Sequence, residues 1–149
     1  MTRGLLRSCL LFCAACAGTP GAPVFLRLGF DDLAPGDLPD GFVVDATRGG
    51  GPLATWSVAR AGDAPSAPNV LSLIRVEHGR GDTFNLCWNP GIPFGDGEIS
   101  LRLRATGGEE DQGGGVIWRA LDRDHYYVTR LNPLEGNLRL YFVEGGTGR

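Results

Sequence analysis

The sequence has no lysine. All 14 of its basic residues are arginine, a codon-usage signature of a GC-rich genome and not a chemical one. Cysteine is nearly absent from the part that folds. Of the 4 cysteines, Cys9, Cys13 and Cys16 lie near the N-terminus and only Cys87 lies well inside the chain. No disulfide can form within the domain once the leader is removed. A nucleophilic Cys87 would want a histidine base, and His78 and His125 stand in polar, turn-like contexts without a recognisable signature, so Cys87 reads as a small strand residue. Apolar runs after the leader are too short to cross a bilayer, which takes about 20 residues. Zinc-ligand spacings, a phosphate loop and a nucleophile elbow are all missing.

Net charge is also low, formally −3. With Arg3 and Arg7 assigned to the leader, 12 arginines face 17 acidic residues, a balance of −5. Such a surface repels phosphate backbones, which argues against nucleic acid as a partner. Hydrophobic residues at 42% and charged residues at 21% fit a globular domain, and the length holds one domain. The 24 glycines and 10 prolines break the chain too often for long helices but suit short strands joined by turns.

Residues 1–22 read as a secretory signal. Arg3 and Arg7 form a positive start, and Leu10-Leu11-Phe12-Cys13-Ala14-Ala15-Cys16 is a compact apolar core. Ala15-Cys16-Ala17 has the spacing a signal peptidase accepts, which predicts cleavage near Ala17. Ala14-Ala15-Cys16 also matches the end of a lipobox, which makes Cys16 an alternative site of lipidation, with Cys13 standing where leucine is usual. The expected location is therefore exported: periplasmic, extracellular or lipid-anchored to the envelope. An uncleaved membrane helix needs a longer apolar run.

Residues 23–149 read as one all-β domain. Short β-forming runs at 24–28, 42–45, 55–59, 70–76, 83–88, 113–119, 125–131 and 138–143 are separated by Gly, Pro, Asn and Asp. The sharpest pattern is at 98–106, where Ile99, Leu101, Leu103 and Ala105 alternate with Ser100, Arg102, Arg104 and Thr106. Period two predicts a strand with one face on a core. Regular short strands predict a two-sheet antiparallel β-sandwich.

Gly108-Glu109-Glu110-Asp111-Gln112-Gly113-Gly114-Gly115-Val116-Ile117-Trp118-Arg119, Tyr126-Tyr127-Val128-Thr129-Arg130-Leu131-Asn132-Pro133-Leu134-Glu135 and Asn137-Leu138-Arg139-Leu140-Tyr141 resemble a group of bacterial exported proteins. That group has the concanavalin A-like jelly-roll fold, is related to the 3-keto-disaccharide hydrolase domain, and is loosely labelled glycoside hydrolase family 16-like. The likeness reaches back through Phe30-Asp31-Asp32-Leu33 and Trp56. It implies a jelly roll associated with carbohydrate. Such proteins continue into a glycine-rich portion containing Trp and Phe-Asp that nothing here matches, so the resemblance implies a domain incomplete at its C-terminus. Residues 144–149 read as a hairpin turn awaiting a strand that pairs back on 138–143.

Sugar binding wants aromatic rings with planar hydrogen-bonding groups around them. The candidates are Trp118, Arg119, Tyr126, Tyr127, Arg130 and Asn132, with packing inside the sandwich as the competing reading. Alternation sets Trp118 with Val116 against Arg119 with Ile117, and parts Tyr126 and Arg130 from Tyr127, so at most half share a ligand face. Trp56 and Trp88 read as core. Glycoside hydrolysis is the alternative, and it needs two flanking carboxylates. Glu98 opens a strand pattern without a second acid beside it, and Glu109-Glu110-Asp111 reads as a solvated loop, so no catalytic residue is assigned. A structural or interaction module is the third reading. No cofactor is expected. A structural calcium is the exception that Asp31, Asp32, Glu109, Glu110 and Asp111 supply oxygens for, though no spacing demands it.

Overall fold

A computed structural model describes residues 24–49, 52–66, 68–77, 83–109 and 111–149. The leader with Cys16 and Ala17, and also His78 and Glu110, lie outside the described residues. Among the described residues there are eight strands and no helix: β1 Val43–Ala46, β2 Thr55–Arg60, β3 Asn69–Arg75, β4 Asn85–Trp88, β5 Gly114–Asp122, β6 His125–Asn132, β7 Asn137–Glu144 and β8 Thr147–Gly148. All pairing is antiparallel. β1 pairs with β4, β2 with β3, and β5-β6-β7-β8 form a four-stranded meander. No helix among these residues is long and apolar enough to cross a membrane.

The meander follows from its turns. Arg123 and Asp124 link the Asp122↔His125 pair, and Asp122 Oδ1 accepts the Asp124 N–H at 2.7 Å, a local bond that aspartate makes well in turns. Asn132 does the same at the next corner, taking the Leu134 N–H at 3.2 Å. Gly145 and Gly146 have φ of 57° and 73°. Positive φ at both central positions is what a two-residue type I′ hairpin turn requires. It folds residues 147–149 back on β7, with Arg149 exchanging two backbone bonds with Phe142 at 3.0 and 3.1 Å.

The core lies between β4 and one face of the meander. Leu86 packs with Tyr126, Val128 and Val143, and Phe84, Trp88, Ile117, Ala120 and Tyr141 close around them. Tyr126, at 1% exposed, places its hydroxyl 2.6 Å from Thr47 Oγ, just past β1. The β2–β3 pair carries the Phe30–Leu33 loop. Asn69 Nδ2 donates to the Phe30 and Leu33 carbonyls at 3.1 and 2.9 Å, and Asp31 Oδ1 accepts the Asn69 N–H at 3.2 Å. Gly36 and Asp37 then bond the backbone of Val58 on β2.

Two expectations change. Residues 24–28 are not a strand, and neither are residues 98–106. The alternation at 98–106 persists as a facing pattern, but a strand needs a backbone ladder as well as a period. Here the segment meets β5 through side chains: a Cβ on Gly114 would lie 3.1 Å from Leu103 Cδ1. Ile99, Leu101 and Leu103 are accordingly exposed rather than set in a core. The all-β, antiparallel expectation holds, with the strands paired in three ladders.

Candidate functional site

The core-side face of the meander is apolar around Tyr126, Val128 and Val143 and polar toward the β6–β7 turn, where Arg130 pairs with Arg139 and Asn132 with Asn137. On the face away from the core, the register puts Trp118 opposite Tyr127 and Tyr127 opposite Phe142. Their rings form a stack across three strands, with centroids 5.8 Å apart at 19° for Trp118–Tyr127 and 4.9 Å at 35° for Tyr127–Phe142. Below this row come Val116, Thr129 and Leu140, then Gly114, Leu131 and Leu138. Leu138 and Leu140 are 66% and 65% exposed.

Residues 94–103 run beside β5 and leave two open grooves. One, of about 310 Å³, is lined by Phe94, Gly97, Ile99, Val116, Trp118 and Thr129. The other, of about 250 Å³, runs past Leu101, Leu103, Gly114 and Leu138, and shares Val116 and Thr129 with the first. Trp118 thus meets Tyr127 across the strands and also lines the groove that Phe94 and Ile99 wall. Neither groove is lined by a carboxylate.

Arg119 holds the segment beside β5. The β5–β6 register breaks between Trp118 and Asp122, and Arg119 has φ of 50°. A bulge of this kind re-aims a side chain. The Arg119 guanidinium donates to the Gly95 carbonyl at 3.0 Å and pairs with Asp96 at 2.9 Å. It therefore ties the 94–97 segment to the end of the aromatic row.

The six sequence candidates divide. Trp118 and Tyr127 share the open face, and Arg119 is bonded to Gly95 and Asp96. Tyr126 and Asn132 are buried on the core face, at 1% and 0% exposed, and contribute nothing to the open surface. Arg130 shares their face and pairs with Asp111 and Glu135 at 3.2 and 3.4 Å. Phe142, Phe94 and Thr129 complete the open face and were not singled out from sequence. The period-two run of Leu138, Leu140 and Phe142 was the available signal, but only the β6–β7 register shows that it shares a face with Tyr127.

Glu98 and Glu109 are exposed and lie outside the strands. Asp31 is engaged by Asn69 and by Ser66 Oγ at 3.3 Å. Among the described residues no group of three His, Cys, Asp or Glu could hold a metal ion. Burial pushes the Cys87 thiol up to about 11, which keeps it protonated and a poor nucleophile at neutral pH. No protein-family model, no curated protein and no solved structure matches the chain.

Proposed function

We propose that this chain is an exported, carbohydrate-associated β-sandwich of the concanavalin A-like jelly-roll kind, which binds glycan in the groove at Trp118. The observation that carries the reading is Trp118 itself. It is an aromatic wall of an open groove that Thr129 also lines, and Arg119, next to it in sequence, pairs with Asp96. Aromatic surface ringed by a few hydrogen-bonding groups is the pairing that sugar recognition uses. The packing of Leu86 on Tyr126, Val128 and Val143 supports the sandwich. The charged and apolar segments of residues 1–17 support export.

A glycan array on the chain tests this, followed by the Trp118→Ala variant. Binding to at least one polysaccharide, lost in the variant, is the expected result. A blank array sinks the glycan reading, and binding retained by the variant moves it off the groove. Leu138 and Leu140 favour a second reading, an interaction module, because contiguous exposed apolar surface marks contact with another protein.

A further inference from the structure

β5 pairs with β6 on one side and, among the described residues, with no strand on the other. Its outer edge therefore carries backbone groups that no ladder satisfies. Residues 98–103 run along that edge, and the groove linings set the two segments against each other in opposite directions. Ile99 lines one groove with Trp118 and Val116, while Leu101 and Leu103 line the other with Val116 and Gly114. A Cβ on Gly114 would meet Leu103 itself, at 3.1 Å. These neighbours fit one antiparallel register: Leu103 opposite Gly114, Leu101 opposite Val116, and Ile99 opposite Trp118. All three pairs fall on the face that Trp118 shares with Tyr127, as a period of two demands.

The segment has the register of a strand without the ladder. No backbone hydrogen bond joins residues 98–106 to another described residue, and Ile99, Leu101 and Leu103 stay 41–50% exposed. Its two ends are nevertheless held. Arg119 on β5 bonds Gly95 and Asp96 just before it, and Arg104 pairs with Asp63 in the loop between β2 and β3. Residues 107–113, three of them glycine, remain to carry the chain round into β5. Moving the middle of the segment onto the edge would satisfy backbone groups on both sides and cover apolar side chains, with the order of residues already correct.

We infer that residues 98–104 are a strap that closes onto β5 as a fifth strand of the meander sheet, in the register Leu103–Gly114, Leu101–Val116 and Ile99–Trp118. Closure eliminates both grooves, so the strap governs access to the Trp118 face. It needs no ligand and stands whether or not the groove binds glycan. The test traps the closed form in the full chain with Cys9, Cys13, Cys16 and Cys87 changed to alanine. Opposed residues of an antiparallel ladder have Cα atoms about 4.5–5.5 Å apart, within the span of a disulfide. Leu101→Cys with Val116→Cys should therefore cross-link within one chain when oxidised glutathione is added. Alternate amides of residues 99–103 should then exchange about tenfold more slowly than in the reduced form, as ladder bonds require. Leu103→Cys with Gly114→Cys is the second pair in register and serves if the first does not fold. Ile99→Cys with Gly114→Cys, four residues out of register, should stay reduced. Absence of a cross-link in both matched pairs overturns the inference, and so does equal cross-linking of the mismatched pair. A cross-link without slowed amides overturns it as well, since the side chains then meet without a ladder. A cross-link between two chains overturns it by giving the β5 edge to a second copy.

Discussion

The hydroxyl of Tyr126 lies 2.6 Å from Thr47 Oγ, joining residues 79 apart in sequence inside the core. Thr47 also points its hydroxyl at the Phe84 carbonyl, at 3.4 Å. Tyr126→Phe keeps the ring and removes the bond. It should cost about 1–3 kcal/mol, the range for leaving a buried partner unmet. Tyr126→Ala should cost more, about 3–5 kcal/mol, because it also opens a cavity. Denaturant midpoints measure both, and equal costs for the two variants would show that the hydroxyl, not the ring, holds the core.

The same tyrosine predicts weakness in alkali. Burial, the largest cause, raises its phenol from 10.0 to about 12, and raises the Cys87 thiol from 9.0 to about 11. Each group holds its proton more tightly when folded, so its contribution is intact below the unfolded pKa and is lost as pH rises through the folded one. Stability should therefore fall from about pH 9 to 12, with Cys87 acting first. In Cys87→Ala the early part of that fall should vanish, as melting temperatures across the pH series will show.

Acid should weaken the fold only slightly. Asp122 is held low by the Asp124 N–H and then by His125, Asp63 by Arg104, and Glu135 by the Asn137 amide and then by Arg130 and Arg139. Depressed carboxylates stabilise above their unfolded pKa, near 4, and lose that contribution as pH falls through the folded value. These pairs are at the surface, where ion pairs contribute little and salt screens them. A shallow decline below about pH 4, shallower still in high salt, is expected from unfolding curves. A steep one would point to a buried carboxylate instead.

Two neighbouring glycines should behave oppositely. A Cβ on Gly115 would fall 1.6 Å from the Thr129 carbonyl oxygen, within the β5–β6 ladder. Backbone cannot yield as a side chain does, so Gly115→Ala should cost about 3 kcal/mol or more. A Cβ on Gly114 meets only the end of Leu103, at 3.1 Å, and Gly114→Ala should be within about 0.5 kcal/mol of wild type. Equal destabilisation of both would mean that β5 is not registered as described.

Much of the fold is written in the period-two runs and their turn residues, because strand identity and turn chemistry are local. The 125–131 run and the β-strand His125–Asn132 agree to a residue, with Asn132 added because it still pairs with Asn137. What the sequence could not supply is pairing. Residues 98–106 alternate as cleanly as any strand, yet no backbone ladder takes them up among the described residues. The candidate site shows the same limit. That Trp118 and Tyr127 share a face depends on the two-residue turn between β5 and β6, and that Phe142 joins them depends on the next register. Arg119 escapes alternation altogether, because its φ of 50° belongs to a bulge that no period reveals.

The core has a consequence for synthesis. Leu86 on β4 finds its partners in Tyr126, Val128 and Val143, all made after it on the ribosome. β1 and β4, already paired across 43–88, therefore have nothing to bury against until the meander emerges. The meander needs only nearest-neighbour hairpins, which close quickly because the loops are short. Folding thus waits on the meander, and a nascent chain paused before residue 126 presents Leu86 and Trp88 to chaperones rather than to a core.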